Sequence, residues 1–280
     1  MTTTRLCTLY RRYLQAPDHP AKLRIIRFLE RRLFPSQGLP FPVTSDMSLY
    51  LHPREATQYS LLQGVPYEPL TEAFIRRNLK AGDTFAVSGA SFGHYVVMAS
   101  KIVGPTGSVL AVEPQPGSMK QTRMNLLLNE CPKNVTLFSG ALGESRAVVQ
   151  IGAAPEETLG WSSIVTRDRG DFPFSVCVST LGEVLQATGL PCPDLMILDV
   201  EGYEPYVLRG LSGGDYRPKV LIVEAHPIVL NITGTSQGDL LAMIRQLGYS
   251  LFTLRGESSL PDRLPEDNII AVHTGVKVRW

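Results

Sequence analysis

Apolar positions along the chain follow first a helical and then a mixed period. Leu23, Ile26, Phe28, Leu29 and Leu33 recur at helical spacing and predict one helix over about 20–33. Pro35, Pro40 and Pro42 break that pattern, which predicts a helical extension over residues 1–44 and a main domain over 45–280. Residues 1–80 hold no clear strand signal. From about residue 70 strand and helix signals alternate. Helices are expected over 71–79, 93–102, 118–128, 205–211 and 238–247, and strands over 84–88, 108–112, 135–139, 195–198, 220–223, 250–254 and 269–273. The runs LMIL and VLIV are apolar throughout, as in strands buried on both faces. The pattern predicts a doubly wound α/β domain with a mostly parallel sheet between helical layers.

The 280 residues are 44% hydrophobic and 19% charged, with a formal net charge of +1. That composition suits a sizeable core and excludes a disordered or low-complexity chain. The near-neutral balance argues against a dedicated nucleic-acid binder. Cys7, Cys131, Cys177 and Cys192 lie too far apart for C-x-x-C metal pairs, and no secretory leader precedes them. Reduced thiols in a cytoplasmic protein are the expectation. No apolar run approaches the roughly 20 residues of a membrane-spanning helix. The charge is uneven, however: residues 1–34 hold eight Lys and Arg against Asp18 and Glu30. A helix packed on the main domain with its arginines in water accounts for this. The alternative is a weak peripheral contact with a membrane surface or an acidic partner.

In a doubly wound sheet ligands bind beyond the carboxyl ends of the strands, so the residues leaving each strand carry the chemistry. The first central strand runs into Ser88-Gly89-Ala90-Ser91-Phe92-Gly93, a turn that lets the backbone approach a ligand at a helix N-terminus. Glu113 ends the second strand, where a carboxylate accepts both hydroxyls of a ribose. Together they point to an adenosine-type cofactor. A dinucleotide fingerprint G-x-G-x-x-G is broken by Ser91, which disfavours nicotinamide binding. Gly89-Ala90-Ser91-Phe92-Gly93 also matches the G-x-S-x-G elbow of serine hydrolases, with Asp199 and His226 or His273 as conceivable partners. That alternative lacks the preceding strands and an oxyanion motif.

The fourth central strand leads into Asp199-Val200-Glu201-Gly202-Tyr203-Glu204. With Tyr67-Glu68-Pro69, Glu113-Pro114-Gln115-Pro116, Gly140-Ala141-Leu142-Gly143, Gly160-Trp161-Ser162-Ser163 and Glu224-Ala225-His226-Pro227, this segment resembles the FkbM-type methyltransferase family over about 45–255. The resemblance implies a class I, Rossmann-like methyltransferase fold and S-adenosyl-L-methionine as donor. It implies a hydroxyl acceptor on a small molecule, sugar or glycoconjugate, as in natural-product tailoring. It also implies that Glu68, Pro114, Ala141 and Leu142 join Gly89, Ala90, Ser91, Gly93, Glu113 and Asp199 around the cofactor. Two positions depart from the family's pattern. Val87 stands where an acid is usual, and Ile197 where a lysine is usual, which leaves a catalytically degenerate binding or scaffold protein as the alternative.

Methyl transfer to an alcohol needs an aligned acceptor and a base for its proton. Asp199 is expected to orient the cofactor or acceptor, with His226 and Glu201 as the bases. Glu204, before Pro205, is expected only to complement a helix dipole. A divalent cation held by Asp199, Glu201 and Glu224 is chemically allowed but not demanded by their spacing, so no metal is expected. Trp161 and Phe172 lie in an irregular stretch, 155–173, expected to cover the acceptor. The oligomeric state has no sequence signal.

Overall fold

The computed structural model describes residues 3–35, 37–53, 55–151, 174–212, 214–260, 264 and 267–280. The N-terminal segment forms two helices, α1 (Thr3–Gln15) and α2 (Lys22–Leu33), where one was expected. α1 buries Cys7, Tyr10 and Leu14, an i, i+3, i+7 stripe that shares an apolar cluster with the main domain. Arg11 pins it further: its guanidinium donates to the carbonyls of Pro42, Leu61 and Leu62 at 2.9–3.2 Å.

Two strands follow in a stretch expected to hold none, β1 (Leu39–Pro42) and β2 (Ser48–Leu51). They pair antiparallel as a separate ribbon, in which both strands are edges, so Pro40 and Pro42 cost no central ladder bonds. Helices α3 (Ala56–Leu62) and α4 (Pro69–Asn78) lead into the main sheet.

That sheet is built from β3 (Thr84–Ser88), α5 (His94–Val103), β4 (Ser108–Val112), α6 (Pro116–Leu128) and β5 (Val135–Phe138). The short β6 (Ala141–Leu142), β7 (Ala147–Ile151) and β8 (Phe174–Ser179) form a small second sheet that the sequence pattern does not predict. The chain continues through α7 (Leu181–Thr188), β9 (Leu195–Leu198), α8 (Glu204–Ser212), β10 (Val220–Glu224), α9 (Pro227–Ile232), α10 (Gln237–Gln246), β11 (Tyr249–Thr253) and β12 (Asn268–His273).

The seven main strands lie in the order β11-β12-β10-β9-β3-β4-β5. Six run in one direction, and β12 alone inserts antiparallel, between β10 and β11. This is the doubly wound, mostly parallel α/β sheet expected from the alternating pattern. Side chains alternate between its two faces. Phe85, Val87, Ile197 and Ile222 join the cluster that holds the N-terminal helices. Ala86, Met196, Leu198 and Leu221 join the cluster beneath α7, α8 and α10. Strand order reverses between β3 and β9, so the crevice for a ligand opens where these two strands end.

Candidate functional site

The backbone at that crevice is held at close range. Asp199 N donates to Ser88 O at 3.1 Å, and Gly89 N and Ala90 N donate to Val112 O at 3.0 and 3.1 Å. A Cβ at Gly89 would lie 1.7 Å from Asp199 O, and its φ is +89°, so only glycine fits this turn. Polar side chains of α6 hold the rest of the loop. Thr122 Oγ1 donates to Ser91 O at 2.6 Å, and Asn125 Nδ2 to Phe92 O at 2.7 Å. The same Asn125 accepts from Tyr50 N at 2.7 Å, which ties the N-terminal ribbon to the loop. Three of the four non-glycine residues with positive φ surround the crevice: Glu68 (38°), Ser91 (47°) and Glu201 (55°). Strain of this kind persists where surrounding contacts fix it, and it gathers at functional sites.

A cavity sits over the strand ends. Its walls include the expected Gly89, Ala90, Ser91, Glu113, Pro114, Ala141, Leu142, Asp199 and Glu201. Ile197 faces the same space, as do the aromatic rings of Tyr67, Phe92, His94 and Tyr95. Three expected residues stand elsewhere. Gly93 is the N-cap of α5. Glu68 lies outside the lining, its Oε2 accepting from Tyr95 Oη and Asn268 Nδ2, both at 2.7 Å. His226 caps α9 and also lies outside the lining, with Nε2 4.0 Å from Asp267 Oδ1. Trp161, Phe172 and the expected cover over 155–173 lie outside the described residues.

Glu113 is buried, and each carboxylate oxygen accepts a backbone N–H at 2.8 Å, Oε2 from Ser91 and Oε1 from Gln115. Burial nevertheless pushes its pKa up to about 7. It is thus a positioned acceptor that further hydroxyl donors would stabilise in the ionised form.

Next to it lies a cluster of acids. Leu198 pairs with Val223 across the ladder, so Asp199 and Glu224 leave adjacent strands side by side and hydrogen-bond to each other. Two buried carboxyls in contact cannot both ionise, and burial drives both pKa values well above the ordinary range, helped at Asp199 by the charge of Glu201 and at Glu224 by that of Asp199. Glu201 is raised by burial, and the nearby His226 opposes that rise. Glu204 corrects its sequence-based role. It does start α8, but it is fully buried, with Oε1 accepting from Val200 N at 2.8 Å, and burial raises it to about 7. Its Oε2, like Glu224 Oε2 and Ser88 Oγ, is buried without a hydrogen-bond partner.

Among the described residues no Lys or Arg lines this cavity. Carboxylates, phenol rings and an orphaned serine hydroxyl suit a cationic ligand bearing hydroxyls, and aromatic faces attract cations as well. The residues present therefore fit S-adenosylmethionine, with its sulfonium, ammonium and ribose. Among the described residues no three His, Cys, Asp or Glu side chains are arranged to hold a metal ion.

The serine-hydrolase alternative lacks its base. Among the described residues no hydrogen bond joins Ser91 Oγ to an imidazole, while Ser91 N and O serve Glu113 and Thr122. Sequence reasoning passed over Tyr95, Asn268 and His94. His94 is 2% exposed, with Nε2 3.5 Å from Glu72 Oε2 and its ring centroid 5.1 Å from that of Tyr67. The signal was its place directly after Gly93, at the start of a helix facing the cavity.

A family model described as the methyltransferase FkbM domain matches residues 88–251, more than half of the chain. Solved structures similar to it include an S-adenosylmethionine-dependent O-methyltransferase from Thermotoga maritima, at 15% identity over 76% of this chain and 68% of that one, TM-score 0.42. Fibrillarin from Aeropyrum pernix with bound S-adenosylmethionine is similar at 14% identity over 72% and 73%, TM-score 0.42. Precorrin-6y C5,15-methyltransferase from Geobacter metallireducens is similar at 15% identity over 86% and 100%, TM-score 0.43. No curated protein sequence matches the chain significantly. The family match runs from the last residue of β3 into β11 and so takes in Glu113, Asp199, Glu201 and Glu224. The chain belongs to the FkbM methyltransferase family, and its cofactor is S-adenosyl-L-methionine.

Proposed function

We propose that the chain methylates a hydroxyl oxygen of a small molecule, sugar or glycoconjugate, and that Glu201 takes the hydroxyl's proton. S-adenosylmethionine supplies, when bound, a methyl group already activated by its sulfonium charge. The protein's own task is then to hold the acceptor oxygen in line and remove its proton as the bond forms. The observation that carries this reading is Glu201 on the cavity wall, with its carboxyl raised by burial. A carboxylate of raised proton affinity is a better base near neutrality than an ordinary one. His226, the other expected base, stands behind Glu201 and supports its ionised form. The raised pKa values of Asp199 and Glu224 favour a shared proton on the pair, which limits the negative charge facing the cavity.

The experiment is methyl transfer from labelled donor to a panel of hydroxyl-bearing sugars and phenols. Glu201→Gln is expected to lower turnover by about 10²–10⁴-fold while leaving affinity for S-adenosylhomocysteine within about twofold. His226→Ala is expected to lose less and to shift the pH profile. A Glu201→Gln enzyme with near wild-type turnover would remove the assignment. Equal or larger losses in His226→Ala would move the base there, and transfer to amines alone would replace the hydroxyl reading.

Glu113 is the proposed ribose acceptor. Charge-assisted hydrogen bonds of about 1.5–3 kcal/mol are lost in Glu113→Ala, so S-adenosylhomocysteine should bind at least about tenfold more weakly by calorimetry. Ser91 N and Gln115 N also lose their acceptor, so the ligand-free protein should melt lower as well. Unchanged affinity would exclude the ribose role.

A further inference from the structure

Among the described residues, the exposed side of α2 has no partner. Ile26 is buried and Leu29 and Leu33 are half-buried, which fixes the helix's inner face. On its outer side Arg24, Ile25, Phe28, Arg31 and Arg32 share one stripe at i, i+3, i+4 and i+7 spacing, with Arg27 beside it, and all six are exposed. Phe28 is 59% exposed and Ile25 38%, although both are large apolar residues. The Arg32 guanidinium lies 5.6 Å from the Phe28 ring centroid. Arg5 and Arg12 of α1 are exposed too, as is Leu9 at 54%.

The segment holds two acids against eight basic residues. Asp18 pairs with Lys22 at 2.9 Å, and Glu30 Oε1 accepts from Tyr10 Oη at 3.3 Å. The arm is therefore an amphipathic surface with apolar residues set among arginines and a strong positive charge, on a chain whose remainder is net acidic. A basic helix that leaves phenylalanine and isoleucine in water has the build of an element that lies in a membrane interface. Anionic headgroups complement its arginines, and the acyl boundary accepts its apolar side chains. Among the described residues no helix is long and apolar enough to cross a membrane, so the contact is peripheral.

The arm also borders a cavity next to the functional site. Arg11 of α1 lines a second cavity together with Thr44, Tyr67, Glu72 and Arg76, and Tyr67 lines the cofactor cavity as well. A surface docked on α2 thus lies on the same segment that lines this second cavity.

We propose that the outer face of α2, centred on Phe28 and flanked by Arg24, Arg27, Arg31 and Arg32, docks the protein on an anionic lipid surface.

The test is flotation of the full chain with vesicles of phosphatidylcholine alone or with about one-third phosphatidylglycerol. Binding is expected only to the anionic vesicles at low salt, and should be lost near 0.5 M salt, where screening acts within about 4–5 Å. Arg27→Glu/Arg31→Glu should weaken partitioning at least about tenfold. Phe28→Ser keeps the charge and should weaken it several-fold, which adhesion by charge alone would not show. All these positions are exposed, and unchanged melting temperatures certify the fold. No binding to anionic vesicles at low salt, or equal binding by wild type and both variants, would overturn the proposal. Tighter capture of an RNA or DNA duplex than of anionic vesicles would overturn it in favour of a nucleic-acid surface.

Discussion

Gly89→Ala is expected to lower the melting temperature by at least about 6 °C and to abolish measurable binding of S-adenosylhomocysteine. Two costs combine at this residue. Its φ of +89° is strained for any side chain, and a Cβ there would sit 1.7 Å from Asp199 O, which is backbone and cannot rotate away. Relief requires β3 and β9 to part at the point where they build the crevice. Strain and strand separation together should cost more than about 3 kcal/mol, which for a chain of this size shifts melting by the amount stated. Gly189→Ala is the control, because Gly189 has a φ of +70° but nothing within 4 Å of an added Cβ. It should show only the conformational cost, on the order of 1 kcal/mol. Calorimetry of the three proteins separates the effects. Equal melting of the two variants would mean that the contact with Asp199 does not constrain the turn.

The central strands were legible because parallel strands buried on both faces must be apolar at every position, as in 195–198 and 220–223. Glu113 and Asp199 were legible for the converse reason: each is a charged residue directly after such a run. The rest escaped for identifiable causes. β1 carries two prolines that disqualify a central strand but not one in a two-stranded ribbon. The antiparallel insertion of β12 depends on pairing between segments far apart in sequence, and local pattern carries no such information. Glu204 does start α8 as expected, but its burial was not legible, because a carboxylate before a helix-start proline usually faces water. Here the turn after β9 folds it inward, against Val200 N. The acidic cluster is likewise a product of register, since Asp199 and Glu224 meet only because Leu198 pairs with Val223.

The two departures from the family's pattern yield to the same kind of reasoning, and they make the last prediction. Val87 and Ile197 are cross-strand partners in the β3–β9 ladder, on the same face of the sheet and both about 98–99% buried. An acid at 87 and a lysine at 197 would therefore stand opposite each other as an ion pair. Replacing a buried ion pair by an apolar pair of similar volume is often neutral or stabilising, whereas removing one partner leaves an uncompensated charge. If the two positions are coupled in this way, they form one exchange rather than two separate losses. It follows that Val87→Asp, which buries a charge among apolar neighbours, should destabilise the fold by about 3 kcal/mol or more, and Ile197→Lys by less, because its ammonium would stand on a cavity wall that also carries Asp199 and Glu201. The double variant should recover part of that loss, with a coupling energy of about 1–3 kcal/mol. Urea unfolding of wild type, both single variants and the double variant closes the cycle. Additive losses, with no recovery in the double variant beyond about 0.5 kcal/mol, would show that the two positions are energetically independent and would return each departure to being a separate defect.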